Sequence, residues 1–224
     1  MKTVLITGAG QRLGKNIAEL LVKNGYAVIL HYHTSKKQTL ALAKKIGAKT
    51  LYADFRKKNS ISKMFEKIPE VDMVINTVGS FIYQPLFQTS VEQFETCIEN
   101  NLFFAYALTS SAIPLFQKKN FGRIIHFGSV GCDQITARPL TTPYYIAKTG
   151  LFMLTKSFAQ ELKNTGITIN MVTPGILPTG VKPAKKAPTI PFDDVANVVL
   201  FLVSEENKHI NGANIEVAGG WRPE

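Results

Sequence analysis

Three side chains in the second half of the chain could together deliver a proton to a polarised carbonyl. Tyr144 and Lys148 stand four residues apart in PYYIAKTG (143–150), the spacing that places both on one face of a helix. Ser129 lies fifteen residues upstream of Tyr144, just past the apolar run RIIHF. Reducing a carbonyl by hydride transfer builds charge on oxygen, so a proton must arrive as the hydride does. A free phenol, with a pKa of about 10, is poorly matched to that task at neutral pH. An adjacent ammonium stabilises the phenolate; bringing the pKa to about 7 takes roughly 4 kcal/mol. A tyrosine held beside such an ammonium could give a proton in reduction and take one back in oxidation, and Tyr144 is a candidate for that role. Tyr145, at i+3 from Lys148, is its rival.

A second constellation sits at the start of the chain, in TVLITGAGQRLG (3–14). A short apolar strand runs into Gly8 and Gly10, and a helix opens at Leu13. Backbone N–H groups of such a turn and of the helix start can cradle a pyrophosphate, and Gly14 lets the helix approach the strand closely. A glycine would be expected two residues before Gly14, and that slot holds Arg12. The end of the second strand reads His31-Tyr32-His33-Thr34-Ser35-Lys36-Lys37 and contains no acid. A site for NADH usually has a carboxylate here to accept both ribose hydroxyls. Imidazoles, hydroxyls and lysines suit an adenosine 2′-phosphate instead, so NADPH is the expected cofactor. Thr34 or Ser35 could equally cap the following helix, and both roles are compatible. Asp54, past the third strand, could accept from the adenine amino group.

The elements that must hold these groups follow from hydrophobic patterning. Strands are expected at Thr3–Thr7, Ala27–His31, Lys49–Tyr52, Met73–Asn76, Arg123–Phe127, Thr168–Val172 and Asn214–Val217. Helices are expected at Leu13–Asn24, Lys36–Ile46, Ile61–Lys67, Val91–Gln117, Tyr144–Lys163 and Asp193–Leu202. Runs such as VLIT, MVIN and RIIHF are apolar without alternation, as when both faces of a sheet are covered. Repeated β-α units imply an α/β fold: a single Rossmann-type, doubly wound parallel sheet of about seven strands with helices on both faces. No linker or repeat divides residues 1–224, which read as one NAD(P)-binding domain.

Composition narrows the partners. The net charge of +10 comes largely from scattered lysine pairs such as Lys44-Lys45 and Lys118-Lys119, with no zinc-ligand spacing, stacking motif or basic arm. Nucleic-acid binding is therefore not expected, although a general attraction for anions is. Apolar stretches are too short for a membrane span, and the apolar N-terminal run is too short for a signal peptide. Two cysteines provide no disulfide framework, so a cytoplasmic location is expected.

Over nearly its whole length the chain resembles the short-chain dehydrogenases/reductases. Thr7-Gly8…Gly14 matches that family's cofactor turn, Asn76-Thr77-Val78-Gly79 its Asn-Asn-Ala-Gly motif, and Asn101 the asparagine of its fourth helix. Ser129, Tyr144 and Lys148 match its catalytic set, which selects Tyr144 over Tyr145 and implies that Tyr144 is the proton donor in reduction and the base in oxidation. Pro174-Gly175-Ile176-Leu177-Pro178-Thr179 matches its Pro-Gly-x-x-x-Thr nicotinamide contact. The resemblance implies that Ser129 hydrogen-bonds the substrate oxygen and that Asn101 holds a water linking Lys148 to solvent. It also implies a homodimer or homotetramer paired through the two long helices. Arg12 in Thr-Gly-x-x-x-Arg-Leu-Gly, together with His-Tyr-His-x-Ser, resembles the pteridine reductases, including dihydromonapterin reductases. Those enzymes usually carry aspartate where this chain has Ser129; serine is the arrangement of carbonyl reductases such as the 3-oxoacyl-carrier-protein reductases. The implied activity is reduction of a small-molecule carbonyl or pteridine-type C=N group. An NADPH-binding redox sensor is the non-catalytic alternative. The segment Gly180–Pro191 is short beside the family's substrate loop, and an open pocket is expected there. Its Lys182, Lys185 and Lys186 could attract an anionic substrate, or belong to a solvated loop.

Overall fold

The computed structural model describes residues 1–179 and 188–223. Seven strands form one parallel sheet: β1 (Thr3–Thr7), β2 (Ala27–Tyr32), β3 (Lys49–Tyr52), β4 (Met73–Asn76), β5 (Gly122–Phe127), β6 (Ile167–Pro174) and β7 (Asn214–Val217). Their order is β3-β2-β1-β4-β5-β6-β7, so the direction of winding reverses between β1 and β4. That reversal opens a crevice beyond the carboxyl ends of the central strands, where ligands of such sheets bind.

The unbroken apolar runs are explained by cover on both faces. In β1, Val4 and Ile6 join one core with Leu13, Ile17 and Leu21 of α1 (Arg12–Lys23) and Val195 and Val199 of α7 (Phe192–Val203). Leu5, pointing the opposite way, joins a second core with Met64 of α3 (Ser60–Glu66) and Leu108 and Phe116 of α5 (Phe104–Lys119). The remaining helices are α2 (Lys36–Ile46), α4 (Val91–Ile98) and α6 (Thr142–Glu161). Among the described residues, no helix is long and apolar enough to cross a membrane.

One expected element is different in kind. The single helix expected over Val91–Gln117 is continuous in path, but Glu99–Phe103 forms a π-helical turn between α4 and α5. Such a turn inserts an extra residue into the helical ladder. Here it carries Asn101. A short 3₁₀ turn at Leu86–Gln88, not anticipated from the pattern, also precedes α4. Of the segment expected as an open loop, residues 180–187, with Lys182, Lys185 and Lys186, lie outside those described.

Candidate active site

The expected site residues gather at the carboxyl end of the sheet, some at strand ends and the turns after them and others on the π turn and α6. β5 ends at Phe127, and Ser129 follows it half-buried. The first turns of α6 bring Tyr144 and Lys148 alongside. Lys148 is buried and donates from Nζ to the Phe127 carbonyl at 2.7 Å, with its ammonium 5.5 Å from the Tyr144 ring centre. Burial lowers the Lys148 pKa to about 8. Phe81 meets the Tyr144 ring edge-on at 4.8 Å and helps to close over it.

Tyr144 is affected in the direction opposite to the one expected. Burial raises its phenol well above the ordinary 10, and the neighbouring Ser129 hydroxyl only partly opposes this. Desolvation disfavours the phenolate, and the Lys148 ammonium is directed at a carbonyl rather than at the phenol oxygen. Tyr144 is thus held in its protonated form, as a donor must be.

Ser129 is shared with the rival tyrosine. Its Oγ donates to Tyr145 Oη at 3.3 Å, and Tyr145 in turn donates to the Val130 carbonyl at 2.9 Å. The Arg138 guanidinium lies 4.8 Å from the Tyr145 ring centre, and its Nη1 donates to the Pro223 carbonyl. Tyr145 is therefore a fixed strut whose proton is already engaged. Beyond it lies an open apolar groove of about 840 Å³, lined in part by Leu86, Phe87, Ile135, Leu140 and Ile146.

Asn101 owes its position to the π turn. Its Nδ2 donates to the carbonyls of Cys97 (2.9 Å) and Ser80 (2.8 Å), which pins the amide. Its Oδ1 is buried and has no protein partner among the described residues. A Cβ on Gly79 would come within 2.6 Å of that oxygen and 3.7 Å of Lys148 Nζ, so the three groups share one small space. A buried acceptor left in this way beside an ammonium is the environment that an ordered water fills.

The dinucleotide turn is equally constrained. Thr7 Oγ1 donates to Asn76 Oδ1 (2.7 Å), which also accepts from Val78 N (3.2 Å), and Thr77 Oγ1 donates to the Thr7 carbonyl (2.5 Å). Thr77, a departure from the family motif, thus ties β4 to the end of β1. A side chain at Gly10 would run into Thr39 Oγ1 and, at 2.8 Å, Ser35 Oγ, so the turn lies directly against the start of α2. The cradle fits a dinucleotide pyrophosphate: glycine backbone beside two helix starts, with Arg12 exposed at its rim. Pro174, Gly175 and Thr179 lie at and beyond the end of β6, on the side where the catalytic residues gather.

His31 requires a correction. It was expected to face the cofactor phosphates, but it is 2% exposed and stacked on Phe55 with ring centres 4.3 Å apart. Gly8 N–H donates to its Nδ1 at 3.4 Å, and Nε2 faces the Ala53 carbonyl at 3.0 Å. Those partners require the neutral Nε2–H tautomer, and burial lowers the pKa to about 4. His31 shapes the glycine turn from behind. The outward positions are Tyr32, His33, Thr34 and Ser35.

Asp54 lies at the expected corner, but its carboxylate is engaged by a residue that the pattern reading passed over. Arg56 donates from Nε to Oδ1 and from Nη2 to Oδ2, each at 2.9 Å, and hydrogen bonding to Arg56 lowers the Asp54 pKa to about 2. Among the described residues no group of acidic, histidine or cysteine side chains could hold a metal ion.

Residues 2–189 match the family model described as short chain dehydrogenase. The 3-oxoacyl-acyl-carrier-protein reductase of Escherichia coli (strain K12) is 32% identical, over 98% of this chain and 96% of that one. The Haemophilus influenzae enzyme of the same name is 31% identical, with 98% and 97% covered. A solved Bacillus thuringiensis structure, assigned provisionally to the 3-oxoacyl-reductases, aligns with a TM-score of 0.90 at 28% identity, over 100% of this chain and 99% of that one.

Proposed function

The chain belongs to the short-chain dehydrogenase family, and from that premise we propose that it is an NADPH-dependent reductase of a small-molecule carbonyl. The observation that carries this reading is the convergence of Ser129, Tyr144, Lys148 and the orphaned Asn101 Oδ1 at the mouth of the sheet. The nicotinamide supplies the hydride when bound. Gly8, Gly10, Leu13 and Gly14 receive the pyrophosphate, with Arg12, His33, Thr34 and Ser35 near the 2′-phosphate. Asn76, Gly79 and Lys148 line the nicotinamide ribose, and Pro174, Gly175 and Thr179 border the nicotinamide.

Ser129 turns its hydroxyl from Tyr145 to the substrate oxygen and holds it beside Tyr144. The phenol, kept protonated by burial, gives its proton to that oxygen as charge develops there. Lys148 stabilises the resulting phenolate, and a water between Lys148 and Asn101 Oδ1 returns the proton from solvent.

The relatives' names favour a 3-oxoacyl thioester as substrate. Ser129 favours a carbonyl over the pteridine reading, which rests on Arg12 and on a His-Tyr-His stretch whose first histidine is buried. Phe103, Tyr106, Ile146 and Met153, all exposed on the π turn, α5 and α6, support a homo-oligomer paired through this face. A monomer in sedimentation would overturn that last reading.

NADPH oxidation with acetoacetyl thioesters, quinones and dihydropterins tests the activity. The expected outcome is turnover of the thioester, falling about 10³-fold in Tyr144→Phe while NADPH binding is retained. NADPH binding with no turnover of any substrate would make the protein a sensor instead. Turnover of dihydropterin alone would restore the pteridine reading.

A further inference from the structure

The corner formed by the ends of β2 and β3 carries a cation with no place in the cofactor pattern. Arg56 reaches back over Asp54 through two parallel hydrogen bonds, its own backbone N–H donates to Oδ1 at 3.2 Å, and Nη2 stands 3.2 Å from His33 Nε2. His33 Nε2 is itself 3.4 Å from Asp54 Oδ2. Asp54 is only 7% exposed, whereas the Arg56 side chain is 62% exposed. The guanidinium is thus fixed from below and open above. Its Nη1 has no protein partner among the described residues.

This arrangement has two consequences. A carboxylate at the adenosine end of the crevice disfavours a phosphate nearby, and Arg56 neutralises and covers Asp54. A guanidinium already held in one orientation also binds a phosphate with little further loss of side-chain freedom. The cluster belongs to the cofactor end, because Ser35, two residues beyond His33, packs against the Gly10 turn.

We propose that Arg56, held by Asp54 and flanked by His33, acts beside Arg12 to select the 2′-phosphate of NADPH over the free 2′-hydroxyl of NADH. This inference rests on the NADPH reading above. Its test is the binding of NADPH, NADH, adenosine 2′,5′-bisphosphate and 5′-AMP, measured by titration calorimetry without any substrate.

In Arg56→Gln the dissociation constants of NADPH and of the bisphosphate should rise about 30-fold. Those of NADH and 5′-AMP should stay within about twofold or improve, since Asp54 is then uncovered. Arg56→Lys, which keeps the charge without the fork, should fall between. Asp54→Asn combined with Arg56→Gln should recover part of the loss, because the exposed acid is gone. Equal weakening of all four ligands would make Arg56 an adenine-stacking residue and overturn the proposal, as would a Gln variant that keeps its preference. A wild-type protein indifferent to the 2′-phosphate would instead overturn the NADPH reading itself. Thermal denaturation of each variant separates loss of binding from loss of fold.

Discussion

The two ends of the cofactor crevice are built on opposite physical plans. At the catalytic end Lys148 and Asn101 are buried, and burial is the leading cause of the shifts at Tyr144 and Lys148. At the adenosine end Arg12 and Arg56 stand in water, and the shift at Asp54 comes first from hydrogen bonds to Arg56. One end adjusts proton affinity by excluding solvent, and the other recognises charge while remaining wetted. Chemistry and cofactor choice should therefore be separable by mutation.

The largest effect that could break this contrast is expected at Lys148. Lys148→Met should lower reductive turnover by about 10²–10³-fold, and wild-type turnover should itself decline as pH rises through about 8, where this ammonium is lost. Stability should move the other way. Between about pH 8 and the ordinary value of 10.5 the unfolded chain holds a proton that the folded chain has released, so folding becomes more favourable as pH rises through that window. Below it the net cost of the buried ammonium is fully present, on the order of 3 kcal/mol. The methionine variant should melt higher than wild type at pH 7, by a margin that shrinks toward pH 10. A margin independent of pH would mean that burial is not what sets the Lys148 pKa.

A smaller effect is expected at Arg12. It sits at φ 52°, the left-handed region that a glycine occupies freely and an arginine does not. Arg12→Gly should stabilise the fold by about 1 kcal/mol while weakening NADPH binding about tenfold and NADH binding little. Melting curves and cofactor titrations check the two halves independently, and equal loss of both cofactors would reduce Arg12 to a turn element. The smallest effect should come from Tyr145→Phe. Removing the partner of Ser129 should cost only about three- to tenfold in kcat/KM, with NADPH affinity unchanged. A loss as deep as that of Tyr144→Phe would reverse the roles of the two tyrosines.

Much of this was legible in the sequence because the determining signals are local. Lys36–Ile46, Met73–Asn76 and Asn214–Val217 fall where hydrophobic patterning puts them, since a sheet covered on both faces leaves unbroken apolar runs. The relation of Tyr144 to Lys148 is a property of helical spacing alone. Other features depend on three-dimensional context. The same burial that makes AVILHY a strand also encloses His31, a consequence that the polar character of the residue obscured. Arg56 stood two residues from Asp54 in plain view, but Asp-x-Arg has no meaning until the loop folds back on itself. The π turn was not legible because the phase shift of one residue is masked where apolar side chains run together, as in LFFAYAL (102–108).

That turn bears on how this protein can be altered. One extra residue in a helix rotates all that follows by about 100°. Glu99–Phe103 contains the extra residue locally, so Leu108, Ala112 and Phe116 still reach the sheet while Asn101 reaches Gly79. The five residues consequently act as a single structural part. Substitutions within them can be tolerated one at a time, but shortening the segment by one residue would force a choice between the core and the water site. The length of this helical run, rather than the identity of any one residue in it, is what the core and the site hold in common.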